Sequence, residues 1–268
     1  MSQPALPPPE PSRARMALEA AVVDRKPISL EDVVDNAALQ TRVDHKFLLT
    51  PEQFTALTQR LGAEFAVMQI DGLRTFRYRS TYFDTPEFEQ YVAHRQGRRR
   101  RYKIRSRTYV DTGLSMFEVK TKGRRGITVK HRREQPLENA AVLSQANLEF
   151  ATEVLAEEYD QQLPSLQPVM RNAYRRATLV NPIDGERVTC DVELHFTNEK
   201  DRVHGPDMVV VETKSADGRG ASDRALAELG IRPVSMSKYC LGVAVLHPEL
   251  PANKWARLLN RYDWVRAA

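Results

Sequence analysis

The feature that most constrains this chain is an alternation of charged and apolar residues with a period of two. In an extended strand successive side chains point to opposite faces, so residues i, i+2 and i+4 share one surface. At 42–49, Arg42, Asp44 and Lys46 share a face opposite Val43, Phe47 and Leu49. At 101–109, Arg101, Lys103, Arg105 and Arg107 oppose Tyr102, Ile104, Ser106 and Thr108. The same division sets Glu118, Lys120 and Lys122 against Phe117 and Val119, and Lys130 and Arg132 against Ile127 and Val129. Arg187, Thr189, Asp191 and Glu193 oppose Val188, Cys190, Val192 and Leu194, and Glu212 and Lys214 oppose Val209 and Val211. These segments predict a mixed, mostly antiparallel α+β architecture rather than regular βαβ alternation.

A charged strand face is ordinarily a solvated one. Here, however, an acid followed two residues later by a lysine recurs as Asp44/Lys46, Glu118/Lys120 and Glu212/Lys214. Such a pair sets a carboxylate beside an ammonium, the combination that holds a divalent cation against phosphate oxygens. If the sheet closes with these faces inward, its interior is a basic tunnel with a few carboxylates, which makes sense around water and a charged ligand. The apolar faces then point outward, under helices.

The distribution of charge points the same way. The 268 residues carry a net charge of +5, but residues 95–133 hold fifteen Lys and Arg against Asp111 and Glu118. That segment is +13 and the remainder −8; residues 134–160 supply seven acids and no Lys or Arg. A basic block of this density implies an anionic partner: nucleic acid, a membrane surface or a polyphosphate compound. A hydrophobic share of 41% with 28% charged residues excludes a wholly disordered or membrane-embedded chain. No apolar run approaches the roughly 18 residues of a membrane span, and the Pro-rich start has no apolar signal core, so a cytoplasmic location is expected. Cys190 and Cys240 stand outside any CxxC, which indicates neither a disulfide framework nor a zinc ribbon.

Residues 1–27, with Pro4, Pro7, Pro8, Pro9 and Pro11, read as a disordered lead-in, and residues 28–268 as a single domain. Thr50-Pro51-Glu52 is an N-cap with proline at the first helical position, opening a helix with Phe54, Leu57 and Leu61 on one side and Gly62 at its end. Further helices are expected over 137–159, 222–229 and 253–264, with strands between them. Neither GxxxxGK[ST] nor a strand-linked GxGxxG occurs, and Gly123 and Gly126 suit a hairpin turn. Ser237 lacks a nucleophile-elbow context, the six histidines show no metal-ligand spacing, and Cys190 falls on an apolar face as a packed thiol.

Nine short motifs then carry a resemblance: RVDHKF at 42–47, YFDT at 82–85, KIRSRTY at 103–109, FEVKTK at 117–122, VKHR at 129–132, AYRRA at 173–177, RVTCD at 187–191, VVETKS at 210–215 and MSKY at 236–239. In this order, over roughly residues 40–245, they resemble the VTC-domain polyphosphate polymerases of the triphosphate tunnel metalloenzyme (CYTH-like) superfamily. The resemblance implies an antiparallel β-barrel tunnel with helices packed outside, ATP as phosphoryl donor, a Mn²⁺ or Mg²⁺ ion, and inorganic polyphosphate as the growing product. It implies phosphate ligands at Lys46, Arg105, Arg107, Lys120, Lys130, Arg176, Arg187 and Lys238, and a metal carboxylate at Glu212. Arg42, Arg79, Lys103, Arg132 and Lys214 join them as substrate-binding candidates, and Glu118 as a second metal carboxylate.

Two departures bear on the branch. Tripolyphosphatase and cyclase relatives open with ExExK, where this chain has Arg42-Val43-Asp44-His45-Lys46, which favours the polymerase branch. Ser235 stands where some polymerases carry a second lysine before the final SK. The expected activity is transfer of the γ-phosphoryl group of ATP to a polyphosphate end with release of ADP. A polyphosphate-binding module without turnover and a triphosphate hydrolase of the same superfamily are the alternatives, and oligomeric state is left open. Nucleic-acid binding through RRRRYKIRSR is disfavoured, because the alternation places carboxylates on the same basic face.

Overall fold

Backbone hydrogen bonds join the alternating segments much as their periodicity predicts. The computed structural model describes residues 10–38, 43–123 and 128–267; the predicted turn residue Gly126 and the face residue Ile127 lie outside them. In chain order the elements are α1 (Arg13–Val22), β1 (Pro27–Ile28), α2 (Leu30–Ala38), β2 (Val43–Leu49), α3 (Pro51–Arg60), β3 (Ala66–Met68), β4 (Phe76–Asp84), α4 (Glu89–Gln96), β5 (Tyr102–Tyr109), β6 (Leu114–Lys122) and β7 (Thr128–Glu134). A 3-10 turn (Leu137–Ala141) leads to α5 (Gln145–Tyr159), β8 (Gln167–Asn181), β9 (Glu186–Thr197), β10 (Arg202–His204), β11 (Val209–Ser215), α6 (Ala221–Glu228), α7 (Lys238–Leu246), α8 (Ala256–Arg261) and β12 (Val265–Arg266). The pairing path is β12-β10-β9-β8-β4-β5-β6-β7, with β11 joining β9 to β2. Apart from the short parallel pair β1/β3, the registered pairs are antiparallel. The sequence predicts an α+β fold, an antiparallel β-barrel tunnel with helices packed outside; the antiparallel sheet and the helices on its apolar faces agree with it, and among the described residues hydrogen bonds do not join β2 to β7.

The sequence predicts one domain over 28–268. The packing divides the chain into two compact units, each of three separated segments: Met1–Thr75, Ala177–Glu193 and Asp207–Pro233 in the first, Phe76–Arg176, Leu194–Pro206 and Val234–Ala268 in the second. Neither unit is a contiguous stretch of sequence.

In the first unit Phe47, Leu49, Val188, Cys190, Val192, Val209 and Val211 form one apolar strand face, buried under Phe54, Leu57 and Leu61 of the α3 region and Leu226 of α6. The α3 helix starts as predicted: the Thr50 hydroxyl accepts from Gln53 N–H, the Gln53 side chain accepts from Thr50 N–H, and Pro51 occupies the first turn. Such a cap contributes about 1 kcal/mol. Where the sequence reading puts a disordered lead-in over 1–27, residues 13–22 form α1. Its residues Ala14, Leu18 and Val22, spaced by four, are buried in the same core. The surrounding prolines and the small alanine side chains hide that stripe in the sequence.

In the second unit Phe83, Ile104, Phe117 and Val119 make the apolar face, covered by Ala151, Val154, Leu155 and Tyr159 of α5. Burying a side chain of this size contributes about 1.5–3 kcal/mol. The helix predicted over 137–159 is split into the 3-10 turn and α5, which begins where Ser144 accepts from Asn147 N–H. The C-terminal helix ends at Arg261, short of Trp264. Two segments read as strand are helices. In α4 the polar residues mask the buried side Gln90, Tyr91 and Ala93. In α7 every residue from Tyr239 to Ala244 is buried, so no polar side exists to produce a helical period. Gly242 there lets the helix backbone approach Phe196 and Met170, which an added Cβ would meet at 2.6 and 2.7 Å.

Candidate functional site

The charged strand faces form one cluster in each unit. In the second, register aligns Tyr82, Arg105, Glu118 and Arg132 in a row across β4, β5, β6 and β7. Glu118, with no exposed side-chain surface, accepts a hydrogen bond from Arg105 Nε (2.6 Å) through Oε2, and forms ion pairs with Arg105 Nη2 (2.5 Å, to Oε2) and Lys130 Nζ (2.7 Å, to Oε1). Arg105 Nη1 also donates to the Tyr82 hydroxyl at 3.0 Å. The next row aligns Lys103, Lys120 and Lys130. Register thus puts Lys103, Arg105, Arg107, Lys120, Lys130, Arg132 and Arg176 on the face on which Glu118 sits, and Lys238 of α7 joins them over Tyr174.

Aromatic rings hold several of these cations. Tyr78 stacks on Tyr174 at 5.2 Å, Arg107 lies 5.6 Å from the Tyr78 ring, and Arg176 lies 5.2 and 5.3 Å from Tyr78 and Tyr174. Lys238 lies 4.6 Å from the Tyr174 ring. A ring quadrupole fixes a cation without cancelling its charge. Arg107 keeps a buried Nε with no hydrogen-bond partner among the described residues. That orphaned donor marks a place for an anion.

The motifs that build this cluster are now assigned parts. In MSKY, the Ser237 hydroxyl accepts from Cys240 N–H and starts α7, which places Lys238 at its first position over Tyr174. The Tyr239 hydroxyl donates to the buried Asp84 of YFDT, whose carboxylate also accepts from the N–H groups of Thr85, Gln90 and Tyr91. Tyr82 stacks on Tyr239 at 5.2 Å, which connects the scaffold to Arg105.

The electrostatics follow from crowding of like charge. Burial opposes ionisation of Glu118, yet Arg105, Arg107 and Lys130 hold its carboxyl far below the usual range. Arg105 pushes the Lys120 ammonium well below its ordinary value, and burial adds to this. Lys130 is lowered chiefly by burial. Burial works against an ionised Tyr82, but Arg105 and Arg107 pull its hydroxyl below its ordinary value. Burial pushes Tyr78 up to about 12.

In the first unit the register is Lys46–Glu212–Thr189 and Asp44–Lys214–Arg187 across β2, β11 and β9. Lys214 Nζ lies 2.6 Å from Asp44 and 2.7 Å from Glu212, and Lys46 Nζ lies 3.9 Å from Glu212. Acids and lysines here neutralise one another across strands, and Asp44 is 42% exposed.

These positions test the metal expectation. Among the described residues no three His, Cys, Asp or Glu gather to hold an ion. Mg²⁺ sites at phosphates ordinarily need only one or two carboxylates, the phosphate oxygens completing the shell. Glu212 fits that part: it keeps some exposure, and the Thr189 hydroxyl across from it is buried with no partner among the described residues. Glu118 does not fit, because Arg105 and Lys130 engage both of its oxygens and it is fully buried. It organises cations instead.

Other predicted residues separate likewise. Lys103 sits on the same β5 face as Arg105, and Arg132 is exposed on β7. Arg79 alternates with Tyr78 and Ser80 along β4 and therefore points to the other face, away from Arg107 and Arg176. Lys214 is held by two carboxylates rather than offered to a ligand. Arg42 lies outside the described residues. The sequence reading missed Tyr78, Tyr82, Tyr174 and Asp84. The signal for them was available: tyrosines on β4 and β8 alternate in phase with the basic face.

A VTC domain model matches residues 41–247. No curated protein matches the chain. Solved structures similar to it include a Hippeastrum protein, HpAC1, described as having a dominant triphosphatase activity (16% identity, 76% of this chain, 96% of that one, TM-score 0.48). Others are the PH1012 protein of Pyrococcus horikoshii OT3 (13%, 75% and 99%, TM-score 0.39) and a conserved hypothetical protein of Pyrococcus furiosus (12%, 75% and 99%, TM-score 0.41). The domain match spans most of the chain and the same stretch as the nine motifs, and on that match the chain belongs to the VTC-domain family.

Proposed function

We propose that this chain is a polyphosphate polymerase that transfers the γ-phosphoryl group of ATP to a growing inorganic polyphosphate chain and releases ADP, in a reducing cytoplasm. The observation that supports it most is the Arg107/Arg176/Lys238 group, packed on Tyr78 and Tyr174 beside the Arg105–Glu118–Lys130 cluster. In the reaction an ionised terminal oxygen of the chain bonds to the γ-phosphorus while the bond to the ADP oxygen breaks. The attacking oxygen is already charged, so no general base is needed, and catalysis reduces to alignment and charge neutralisation. Arg105 and Arg107 present planar donor forks suited to phosphate, and Lys120, Lys130 and Lys238 act as point charges. Lys46 and Arg187 serve the same purpose in the first unit. Glu212 is the residue to hold Mn²⁺ or Mg²⁺, which when bound neutralises phosphate oxygens. Both cysteines are buried thiols outside any disulfide, and among the described residues no helix is long and apolar enough to cross a membrane.

The test is incubation with ATP and Mn²⁺, resolving products on a gel and measuring ADP against free phosphate. Long chains with stoichiometric ADP are the expected result. Free phosphate without chains indicates a hydrolase, and tight polyphosphate binding without turnover indicates a binding module. An unchanged rate in Lys46→Ala or Glu212→Ala overturns those assignments.

A further inference from the structure

The second unit contains another cationic concavity, on the sheet face opposite the tyrosine-backed cluster. A cavity of about 590 Å³ is lined by Arg79 and Thr81 of β4, Arg171 of β8, and a cross-strand set from β9 and β10. In that set Arg202 pairs with Thr197 and His204 with His195. The lining contains no Asp or Glu. Its other wall is apolar: Leu137, Ala140 and Ala141 of the 3-10 turn.

Exposed arginines around a hollow are commonplace, but these differ from their neighbours. Arg77, two residues from Arg79 on the same strand face, is tied to Asp111 at 2.7 Å, and Arg266 beside β10 is tied to Asp201 at 2.7 Å. Arg79, Arg171 and Arg202 have no carboxylate within ion-pair distance among the described residues. The two histidines approach Nδ1 to Nδ1 at 2.8 Å, and their rings are held edge to face. Three uncompensated guanidiniums and an imidazole pair are thus gathered about one hollow. Its volume is that of a small-molecule site, which runs about 300–1,000 Å³, and exceeds what one phosphate fills.

We infer that this cavity is a second anion site, which takes a phosphorylated small molecule with an apolar or planar body, of the nucleoside diphosphate kind. The phosphates pair with Arg79, Arg171 and Arg202, and the body lies against Leu137, Ala140 and Ala141. The inference does not depend on turnover.

The experiment titrates the full chain with ADP by calorimetry in an Arg107→Ala background, which weakens the tyrosine-backed face and leaves this cavity intact. Adding Arg171→Gln and Arg202→Gln is expected to weaken the remaining ADP binding by about tenfold or more, as loss of charged hydrogen bonds requires. A control pair, Arg98→Gln with Arg99→Gln, removes the same charge elsewhere and is expected to change affinity less than about twofold. Equal weakening by both pairs overturns the site in favour of diffuse attraction. An independent readout is the imidazole proton resonances of His195 and His204, assigned with His204→Asn, which ADP should shift. Unmoved resonances overturn the proposal. Tripolyphosphate is the second probe: binding as tight as that of ADP, with the same resonances shifted, overturns the assignment of the apolar wall.

Discussion

The two charged clusters are built from the same sequence device and differ in what surrounds it. In the first unit Asp44, Lys46, Glu212 and Lys214 alternate across strands, each acid beside a lysine, with part of their surface in water. In the second, Glu118 is fully buried, and the cations around it outnumber it, held by tyrosine rings where carboxylates would otherwise stand. An acid–lysine pair spaced by two is therefore not one kind of site. Where charges balance, the pair is a self-neutralised lattice with one carboxylate fit for a metal. Where they do not, the acid organises a positive field and the excess awaits an anion.

The sharpest way to break this contrast is Glu118→Gln. Removing one partner of a buried ion pair leaves uncompensated charge and costs about 3–5 kcal/mol. The variant should melt well below the parent, and tripolyphosphate should restore more of its melting temperature than it adds to the parent. A melting temperature within a degree or two of the parent would show that Glu118 does not organise the cluster. The pH course has a definite sign. The Glu118 carboxyl sits far below its ordinary 4.5 when folded, so its stabilisation is present above that value and is lost as pH falls through the folded pKa. Next in size is Arg107→Ala, which removes a cation held by a ring rather than by a carboxylate. Loss of a preorganised donor costs about 2.7–4 kcal/mol in the barrier, or roughly 100- to 1,000-fold in rate. Its melting temperature should fall less than that of Glu118→Gln; the reverse order would equate the two kinds of cation.

What the sequence disclosed follows the same division. The period of two placed Arg105, Glu118, Lys120 and Lys130 together because register and pleat are backbone properties, and those four do share a face. The Thr50 cap of α3 was legible for the same local reason. The apolar helix α7 was not, because burial on all sides erases the helical period. Nor was the role of Glu118: only the approach of Lys130 from β7 and Arg105 from β5 shows that its oxygens are taken. Arg79 shows how readily basic charge misleads, since one step along β4 from Tyr78 transfers it to the other face.

Lys120 gives a smaller effect that separates the clusters by protons. Arg105 and burial hold its ammonium well below 10.5, so the folded, ligand-free protein gains stability as pH rises from the folded pKa toward 10.5. A polyphosphate anion restores the charge, so binding takes up a proton. Affinity should weaken as pH rises through that window, by at most about tenfold per pH unit for one proton. Calorimetry in buffers of different ionisation enthalpy measures the uptake, and Lys120→Met should abolish it; full uptake in that variant would move the proton to another amine.

The smallest effect belongs to the self-neutralised lattice, and it is the one that tests whether self-neutralisation is real. Lys214 bridges Asp44 and Glu212 near the surface, where such pairs contribute about 0–1 kcal/mol. Lys214→Met should therefore melt within a few degrees of the parent. It should also free Glu212 from its nearest ammonium, so the Mn²⁺ concentration for half-maximal effect should fall, while Asp44→Asn leaves it nearly unchanged. If Lys214→Met instead weakens polyphosphate binding as much as Arg107→Ala does, Lys214 is a phosphate ligand after all, and the two clusters perform one task rather than two.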